Sequence, residues 1–191
     1  MSTINLKGDT SGQVAVVVPA VAGSNTITIP AETGTLRSTV STGTVLQVVN
    51  YKTGAVATGT GVIPSDNTVP QNTEGDQFMS LAITPKSATS TLVISVQVNL
   101  GTGAGSLCAA LFQDSTASAL AAAAVSTGSS GYFVIIPIQF TMTSGTTSAT
   151  TFKVRAGGNG AGTTTFNGLN GASVFGNTIQ YSSITITEVV P

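Results

Sequence analysis

The sequence predicts an all-β protein built as an antiparallel sandwich or jelly roll. Three observations support this fold class. Apolar residues recur at every second position in several segments, which is the period of a half-buried strand. Thr, Ser and Gly supply 75 of the 191 residues, whereas the helix formers Lys, Glu, Arg and Gln are scarce. Turn signals separate the alternating segments about every ten residues, as in sandwiches and jelly rolls.

Residues 91–100 carry the clearest alternation in the chain. One set of positions is apolar and the other is mostly short and polar. The apolar set is Leu92, Ile94, Val96, Val98 and Leu100, and the intervening set is Val93, Ser95, Gln97 and Asn99. We expect a strand with one face in the core and the other facing water or a neighbouring subunit.

Residues 1–43 differ in character from the remainder and are predicted to form a short β-rich N-terminal arm. Two short strands are expected, at 13–18 and 26–29, each ended by a proline. Because an isolated hairpin is marginal in water, the arm needs a partner: other copies of the chain or a larger structure on which it docks. The alternative is a hairpin packed on its own domain.

The second region, residues 44–191, is expected to form the sandwich. Its predicted strands in chain order are 44–52, 78–83, 91–100, 106–113, 132–142, 151–156, 163–167 and 182–190. Residues 118–125 are rich in alanine, which favours helix, but their short length between turn signals argues for a strand of small residues. Both faces of 132–142 begin apolar, so one of them is expected to meet a subunit. Pro137 cannot donate to a ladder and is expected at an edge or bulge.

Composition excludes several function classes. The net charge is −1 and charged residues make up 7%, against a usual share of about 25%, and no Lys/Arg cluster could neutralise a row of phosphates. We therefore expect no nucleic-acid partner. With no His and with Cys108 as the sole cysteine, a disulfide, a zinc site of the usual kind and a Cys–His nucleophile are impossible within one chain. Cys108 is expected to be a buried free thiol.

No segment predicts membrane insertion or export. The longest apolar run, residues 14–22, contains Pro19 and is far shorter than the ~20 residues of a spanning helix. The N-terminus lacks the basic and hydrophobic regions of a signal peptide. We expect a soluble chain made in the cytoplasm.

The remaining motifs favour structural roles over chemistry. Glu74 and Asp76 are a close carboxylate pair, but they lie in a turn before a strand and lack the acidic density of a calcium loop. The glycine-rich loop 157–162 lacks the Lys-Ser/Thr ending of a phosphate-binding loop. Lys153 and Arg155 form a two-residue basic patch, which binds phosphate only weakly. The sequence therefore predicts no catalytic residues, no cofactor and no metal site, and an enzyme is not expected.

An ordered series of segments resembles tailed-phage virion structural proteins. Within residues 78–100, the run from Phe78 to Ile94 contains a stretch similar to the segment Ile-Thr-Pro-Lys-Ser-Ala-Thr-Ser-Lys-Leu-Leu-Ile that recurs in those proteins. Further similar segments follow in order: residues 110–114, 151–156, 165–168 and 183–188. Residues 20–36 resemble a repeat-type segment of phage fibre proteins. The resemblance covers about residues 44–191.

The resemblance implies a jelly-roll head of the tumour-necrosis-factor and complement type, which assembles as a homotrimer. The apolar start of 132–142 and the polar face of 91–100 then become the candidate trimer interface: Tyr132, Phe133, Ile135, Ser95 and Gln97. The apolar residues of the arm become candidates for attachment to the major capsid protein or another virion protein: Val14, Val16, Val18, Ile27, Ile29 and Leu36.

Two functions follow from the resemblance, and both place the protein in the virion. The first is a capsid decoration (cement) protein, favoured because only about 40 residues precede the head, whereas fibres usually carry a long shaft. The alternative is a short tail fibre or receptor-binding adhesin that recognises a host surface glycan or protein. Its recognition loops would be 101–105, 114–117 and 157–162, which lack aromatic residues.

Overall fold

A computed structural model describes residues 3–7, 13–17, 42–102, 105–126, 131–176 and 179–191. The chain divides into two compact units, Met1–Ser38 and Thr39–Pro191. In the first unit, β1 (Thr3–Lys7) pairs antiparallel with β2 (Gln13–Val17). The sequence predicted β2 but not β1, and its second expected strand, 26–29, lies outside the described residues.

The described residues of the second unit form ten strands and no helix. Every pair of neighbouring strands is antiparallel. The strands are β3 (Val45–Thr53), β4 (Ala57–Gly59), β5 (Asp76–Ile83), β6 (Thr91–Thr102), β7 (Leu107–Gln113), β8 (Ala121–Val125), β9 (Tyr132–Thr143), β10 (Thr150–Gly158), β11 (Thr164–Phe166) and β12 (Ser182–Val189).

The strands form two sheets that pack face to face. One sheet has the order β5-β10-β7-β8. The other has the order β3-β12-β6-β11-β4, with β9 paired to the opposite edge of β6. The eight long strands thus divide into β5-β10-β7-β8 and β3-β12-β6-β9, and most neighbours in each sheet are distant in sequence, as in a jelly roll. The predicted fold class is confirmed.

Strand β6 lies at the centre of the larger sheet and supplies much of the core. Its five alternating apolar side chains are buried as predicted, each at most 4% exposed. They meet side chains of the other sheet, including Phe152 and Val154 on β10. The ring of Phe78 on β5 stacks on that of Phe166 on β11, with centroids 4.8 Å apart. The sandwich is therefore closed by a continuous apolar layer.

The structure corrects one side chain of β6. Asn99 was expected on a face open to water or to a subunit, but it is only 3% exposed. Its Nδ2 donates to the carbonyl oxygen of Tyr181, and its backbone N–H donates to Oγ of Ser182. The chain just before β12 crosses this end of β6 and covers the amide, which a period-two pattern alone does not reveal.

Two ambiguous elements are resolved. The alanine-rich segment forms the edge strand β8 rather than a helix. Pro137 lies on β9, whose only strand partner among the described residues is β6, so it occupies an open edge as predicted.

The outward side of the smaller sheet is covered by residues 60–75 of the same chain. Ile63 from this segment packs on Cys108, Ala110 and Phe112 of β7, and all four are buried. Cys108 is thus the buried free thiol that was predicted. A methyl group on Gly157 would lie 2.2 Å from the carbonyl oxygen of Gly61, so the glycine permits this close approach.

Candidate functional site

The outward side of strands β3, β12, β6 and β9, here named the outer face, is the candidate site. The strand register places its residues in rows. Val48, Thr187, Val93 and Thr141 form one row, and the next consists of Asn50, Thr185, Ser95 and Gln139. The third consists of Lys52, Ser183, Gln97 and Pro137. The face is therefore composed almost entirely of uncharged side chains, with Lys52 as its single charge among the described residues of these strands.

Exposed large hydrophobic side chains concentrate on the larger sheet and the segment that leads into β12. Among the described residues eleven are exposed, and all but Val69 lie there. They are Val45, Val48, Tyr51, Val93, Tyr132, Ile135, Val174, Phe175, Ile179 and Tyr181. The register places Val48, Val93 and Ile135 on the outer face, whereas Tyr51 and Tyr132 belong to the alternate set that faces the core. Single exposed apolar residues are normal, but a concentration of them marks an interaction surface.

One end of the outer face contains a recess of about 300 Å³. Its walls come from β6, β9 and the segment that precedes β12. The lining residues are Gln97, Asn99, Phe133, Ile135, Phe175, Ile179, Gln180 and Tyr181. Three of the five residues predicted for a trimer interface, Gln97, Phe133 and Ile135, therefore meet around one recess. Ser95 lies in the adjacent row of the same face, and Tyr132 is exposed at the start of β9 without lining the recess.

A buried polar network holds the segment that forms the recess. Ser182 Oγ donates to Asn167 Oδ1 at 2.7 Å, and Asn167 Nδ2 donates to the carbonyl oxygens of Thr53 and Ala55. Asn167 adopts a positive φ of 54°, which asparagine tolerates better than most residues. Because Asn99 is bonded to Tyr181 and Ser182, each of these polar side chains has partners, and the network fixes the start of β12 against β6.

Gln180, in the same recess, has no such partners. Its side chain is only 8% exposed, and neither Oε1 nor Nε2 has a hydrogen-bond partner within the described residues. Phe175 and Ile179 beside it are 64% and 72% exposed. Sequence reasoning missed these three residues because the segment 173–181 has no strand or helix period. The only signal was the presence of Phe175, Ile179 and Tyr181 in a stretch otherwise rich in Gly, Ser and Asn.

The two charged residues of the larger sheet's long strands are both engaged. The ammonium of Lys52 lies 5.2 Å from the ring centroid of Tyr181, within cation–π range. Glu188 points to the inner side at the far end of the sandwich and is fully buried. Its carboxylate accepts hydrogen bonds from Ser90 Oγ, Gln47 Nε2 and the amides of Lys86 and Ser87. Burial raises the pKa of Glu188, but these hydrogen bonds together hold it below its ordinary value.

Only two of the six candidate attachment residues lie within the described part of the chain. Val14 and Val16 lie on β2, opposite Leu6 and Ile4 of β1. Val18, Ile27, Ile29 and Leu36 lie outside the described residues. Their role in attachment stays a prediction.

The acidic and basic motifs of the sequence serve local structure. Asp76 accepts from the Gly61 amide at 2.6 Å, and Glu74 accepts from the Gln71 amide at 3.0 Å. Arg155 donates to the carbonyl oxygens of Glu74 and Gly75, and Lys153 donates to that of Asp114. The carboxylates and cations are therefore bonded to turns and to the covering segment.

Two kinds of site are absent from the described residues. No three acidic, cysteine or histidine side chains gather there as a metal site would need. No helix there has the length and apolar character required to cross a membrane.

Comparison with known proteins adds a family assignment. The model of the family described as the Pgp3 C-terminal domain matches residues 60–191. No curated protein matches the chain.

Similarity to solved structures is distant. Latent PorU of Porphyromonas gingivalis is 7% identical, with a TM-score of 0.38, and the match covers 82% of this chain but only 14% of that one. A Bacillus endospore appendage pilus protein is 16% identical, with a TM-score of 0.29, over 82% of this chain and 100% of that one. The VP2 subviral particle protein of infectious bursal disease virus is 13% identical, with a TM-score of 0.33, over 96% of this chain and 50% of that one.

Proposed function

The chain belongs to the family of the Pgp3 C-terminal domain, and on that premise we propose that it is a non-enzymatic structural protein of a virion. It works as a homotrimer whose jelly-roll unit contacts its neighbours through the outer face. The most specific form of the proposal is a capsid decoration protein of a tailed phage. That form rests on the sequence resemblance of residues 44–191 to phage virion proteins.

The observation that carries the proposal is the contrast between charge and hydrophobicity on the outer face. Its rows contain one charged residue, Lys52, while exposed apolar side chains surround them. Interface cores lose charged residues and gain aromatic ones, whereas a surface permanently in water keeps its charges. A second copy brings the same near-neutral surface, so contact between copies carries little electrostatic repulsion.

The arm supplies the proposed attachment. Strand β2 carries Val14 and Val16 and, as half of a two-stranded ladder, gains from pairing with a further strand. Burial of the arm against the major capsid protein or another virion protein would fix the trimer on the shell. The jelly-roll unit would remain outside.

Two measurements test this proposal. Native mass spectrometry of the full chain should report a trimer at micromolar concentration, and a monomer throughout would overturn the oligomeric part. A chain lacking residues 2–36 should remain a soluble trimer but fail to bind capsids stripped of the protein. Full binding by this truncation would overturn the role of the arm.

A short tail fibre or receptor-binding tip is the second candidate, and the recess favours it. Phe133, Phe175 and Tyr181 meet there, and sugar sites use aromatic faces in this way. The predicted recognition loops lacked aromatic residues, so the recess is the better place for a glycan. Binding of the purified protein to host cells, with no binding to stripped capsids, would establish this candidate over the first.

A further inference from the structure

The dipeptide Asn-Gly occurs three times in the chain, at residues 159–160, 167–168 and 170–171. In this dipeptide the main-chain nitrogen of the second residue can attack the side-chain carbonyl carbon of the asparagine, and glycine has no side chain to hinder the attack. The three dipeptides are nearly equivalent in an unfolded chain. A difference in their reactivity in the native protein therefore comes from the fold.

Burial and hydrogen bonds protect Asn167. Its side chain is 1% exposed, and Nδ2 donates to the carbonyl oxygens of Thr53 and Ala55. The nitrogen that would leave in the reaction is thus bonded twice. Gly168 is also buried, and a methyl group on it would lie 2.1 Å from the carbonyl oxygen of Ala172. This position is therefore too crowded for ring closure while the fold is intact.

A tight turn restrains Asn170, although its side chain is exposed. Leu169 and Ala172 exchange two backbone hydrogen bonds across the turn, of 2.8 and 3.0 Å. Asn170 itself has a φ of 51°. The N–H of Gly171 donates to Thr165 Oγ1 at 3.0 Å. The attacking nitrogen would therefore have to give up a hydrogen bond, and the turn would have to open, before the reaction could occur.

Asn159 is neither buried nor restrained in this way. It directly follows β10, and both Asn159 and Gly160 are exposed. Within the described residues, the N–H of Gly160 and Nδ2 of Asn159 have no hydrogen-bond partner. The attacking nitrogen and the leaving nitrogen are therefore both free. A methyl group on Gly160 would meet no atom within 4 Å, so ring closure has the space that it needs.

A contact with Ser106 favours the reaction at Asn159. The backbone N–H of Ser106 donates to Asn159 Oδ1 at 3.1 Å, and the N–H of Asn159 donates to the carbonyl oxygen of Ser106 at 3.0 Å. The first bond polarises the carbonyl group that is attacked and stabilises the negative charge that develops on its oxygen. The second bond keeps the two residues together. An activated carbonyl carbon thus precedes an unbonded nitrogen in the chain.

We propose that Asn159 is a site of spontaneous deamidation in the folded protein. The nitrogen of Gly160 bonds to Cγ of Asn159, and the bond from Cγ to Nδ2 breaks. The proton lost by the attacking nitrogen passes to the departing nitrogen, which leaves as ammonia. Water then opens the five-membered succinimide at either carbonyl carbon and gives aspartate or isoaspartate. Loop 157–162, which has no charged residue, thereby gains a carboxylate as the protein ages. This proposal depends on neither the trimer nor the capsid.

The test is incubation of the purified full chain at neutral pH, followed by chymotryptic cleavage. Cleavage after Phe166 and Leu169 separates the three asparagines. Deamidation raises a peptide's mass by about 1 Da, because NH₂ is replaced by OH. We expect Asn159 to convert about tenfold faster than Asn170, whose turn must first open, while Asn167 stays unmodified. In urea all three should convert at similar rates, and both aspartate and isoaspartate should form.

Two variants serve as the test and its control. Gly160→Ala should keep the fold, since the space around Gly160 is open and its φ is not positive, but its side chain should hinder the attack and strongly slow conversion of Asn159. Asn170→Gln should leave the rate at Asn159 unchanged. Faster conversion of Asn170 or Asn167 in the folded chain would overturn the proposal. Equal rates at all three positions would show that the reaction requires unfolding, and aspartate without isoaspartate would exclude the succinimide, so either result also overturns it.

Discussion

The two outward sides of the sandwich differ in whether another segment of the same chain covers them. On the smaller sheet, residues 60–75 fold back and bury Cys108, Ala110 and Phe112 beneath Ile63. On the larger sheet, no described segment of the chain covers the rows that run through Val93, Ser95 and Gln97. Residues of the same chain therefore cover the outward side of the smaller sheet. The outer face of the larger sheet has no such cover among the described residues.

The polar groups of the two sides differ in the same way. On the covered side, Arg155 and Asp76 bond to backbone atoms of the covering segment and of the turn that follows it. On the open side, Gln180 is buried without a partner. The difference indicates that the covered side contributes to folding of the subunit, and it fits our proposal that the open side makes contacts between subunits.

Phe112→Ala is expected to cause the largest loss of subunit stability among the substitutions that test this difference between the two sides. Phe112 is 1% exposed in the apolar cluster that it forms with Ile63, Cys108 and Ala110. Its truncation should therefore lower the free energy of unfolding by about 3–5 kcal/mol. Phe175→Ala, on the open side, provides the control and should change subunit stability by less than about 1 kcal/mol, because that ring is mostly exposed. Urea unfolding at matched low concentration measures both. Equal losses would contradict the division between the two sides.

Ser95→Glu tests the open side directly. A charge placed in the middle row of the outer face would be buried without a partner when subunits dock. We expect trimer dissociation at about 100-fold higher concentration, near 3 kcal/mol, with subunit unfolding changed by under about 0.5 kcal/mol. Analytical ultracentrifugation gives the first quantity and urea unfolding of the monomer gives the second. A trimer unaffected by this substitution would place the interface elsewhere.

Glu188→Gln tests a buried charge of the larger sheet that its own subunit satisfies. The variant should lose about 1–3 kcal/mol at pH 7, because charge-assisted hydrogen bonds from Ser90 and Gln47 weaken. The lowered pKa means that the unfolded chain takes up the proton first as pH falls. The stabilisation is therefore fully present above the ordinary pKa of 4.5 and is lost as pH falls through the lowered folded value. Unfolding of both proteins from pH 7 to 3 should show the difference shrinking in acid.

Arg155→Lys is the smallest expected effect on the covered side. The guanidinium bonds two successive carbonyl oxygens through Nε and Nη2, which a lysine ammonium cannot reproduce in that geometry. A loss of about 1 kcal/mol is expected, together with faster hydrogen exchange in residues 60–75. Exchange that quickens equally over β12 would argue that the effect is not confined to the covering segment.

Local pattern was sufficient to predict most of the strands. The alternation around Ile94 and around Val154 reports directly which side chains face the core, and both strands formed as expected. Strand β1 was missed because Thr3–Lys7, although it alternates between polar and apolar residues, is only five residues long. The cover over the smaller sheet was also missed, since Ile63 is one apolar residue in a polar stretch and its burial depends on a distant partner, β7.

The recess could be predicted only in part. Phe133 and Ile135 were chosen because β9 begins apolar on both faces, which is a local signal. Gln180 could not be found in this way, because its burial depends on Asn167 and Ser182 holding the chain against β6 from a distance in sequence. Long-range hydrogen bonds of this kind leave no periodic trace.

Pro137 affects whether a further strand can pair with the edge of the larger sheet at β9. The N–H and C=O of Asn99 both point toward β11 and β12, and Gln97, two residues earlier, has the same orientation. Pro137 lies opposite Gln97, so its nitrogen faces the open edge of β9 and offers no hydrogen there to an arriving strand. A further strand that paired with this edge of β9 would therefore lose one ladder hydrogen bond at Pro137.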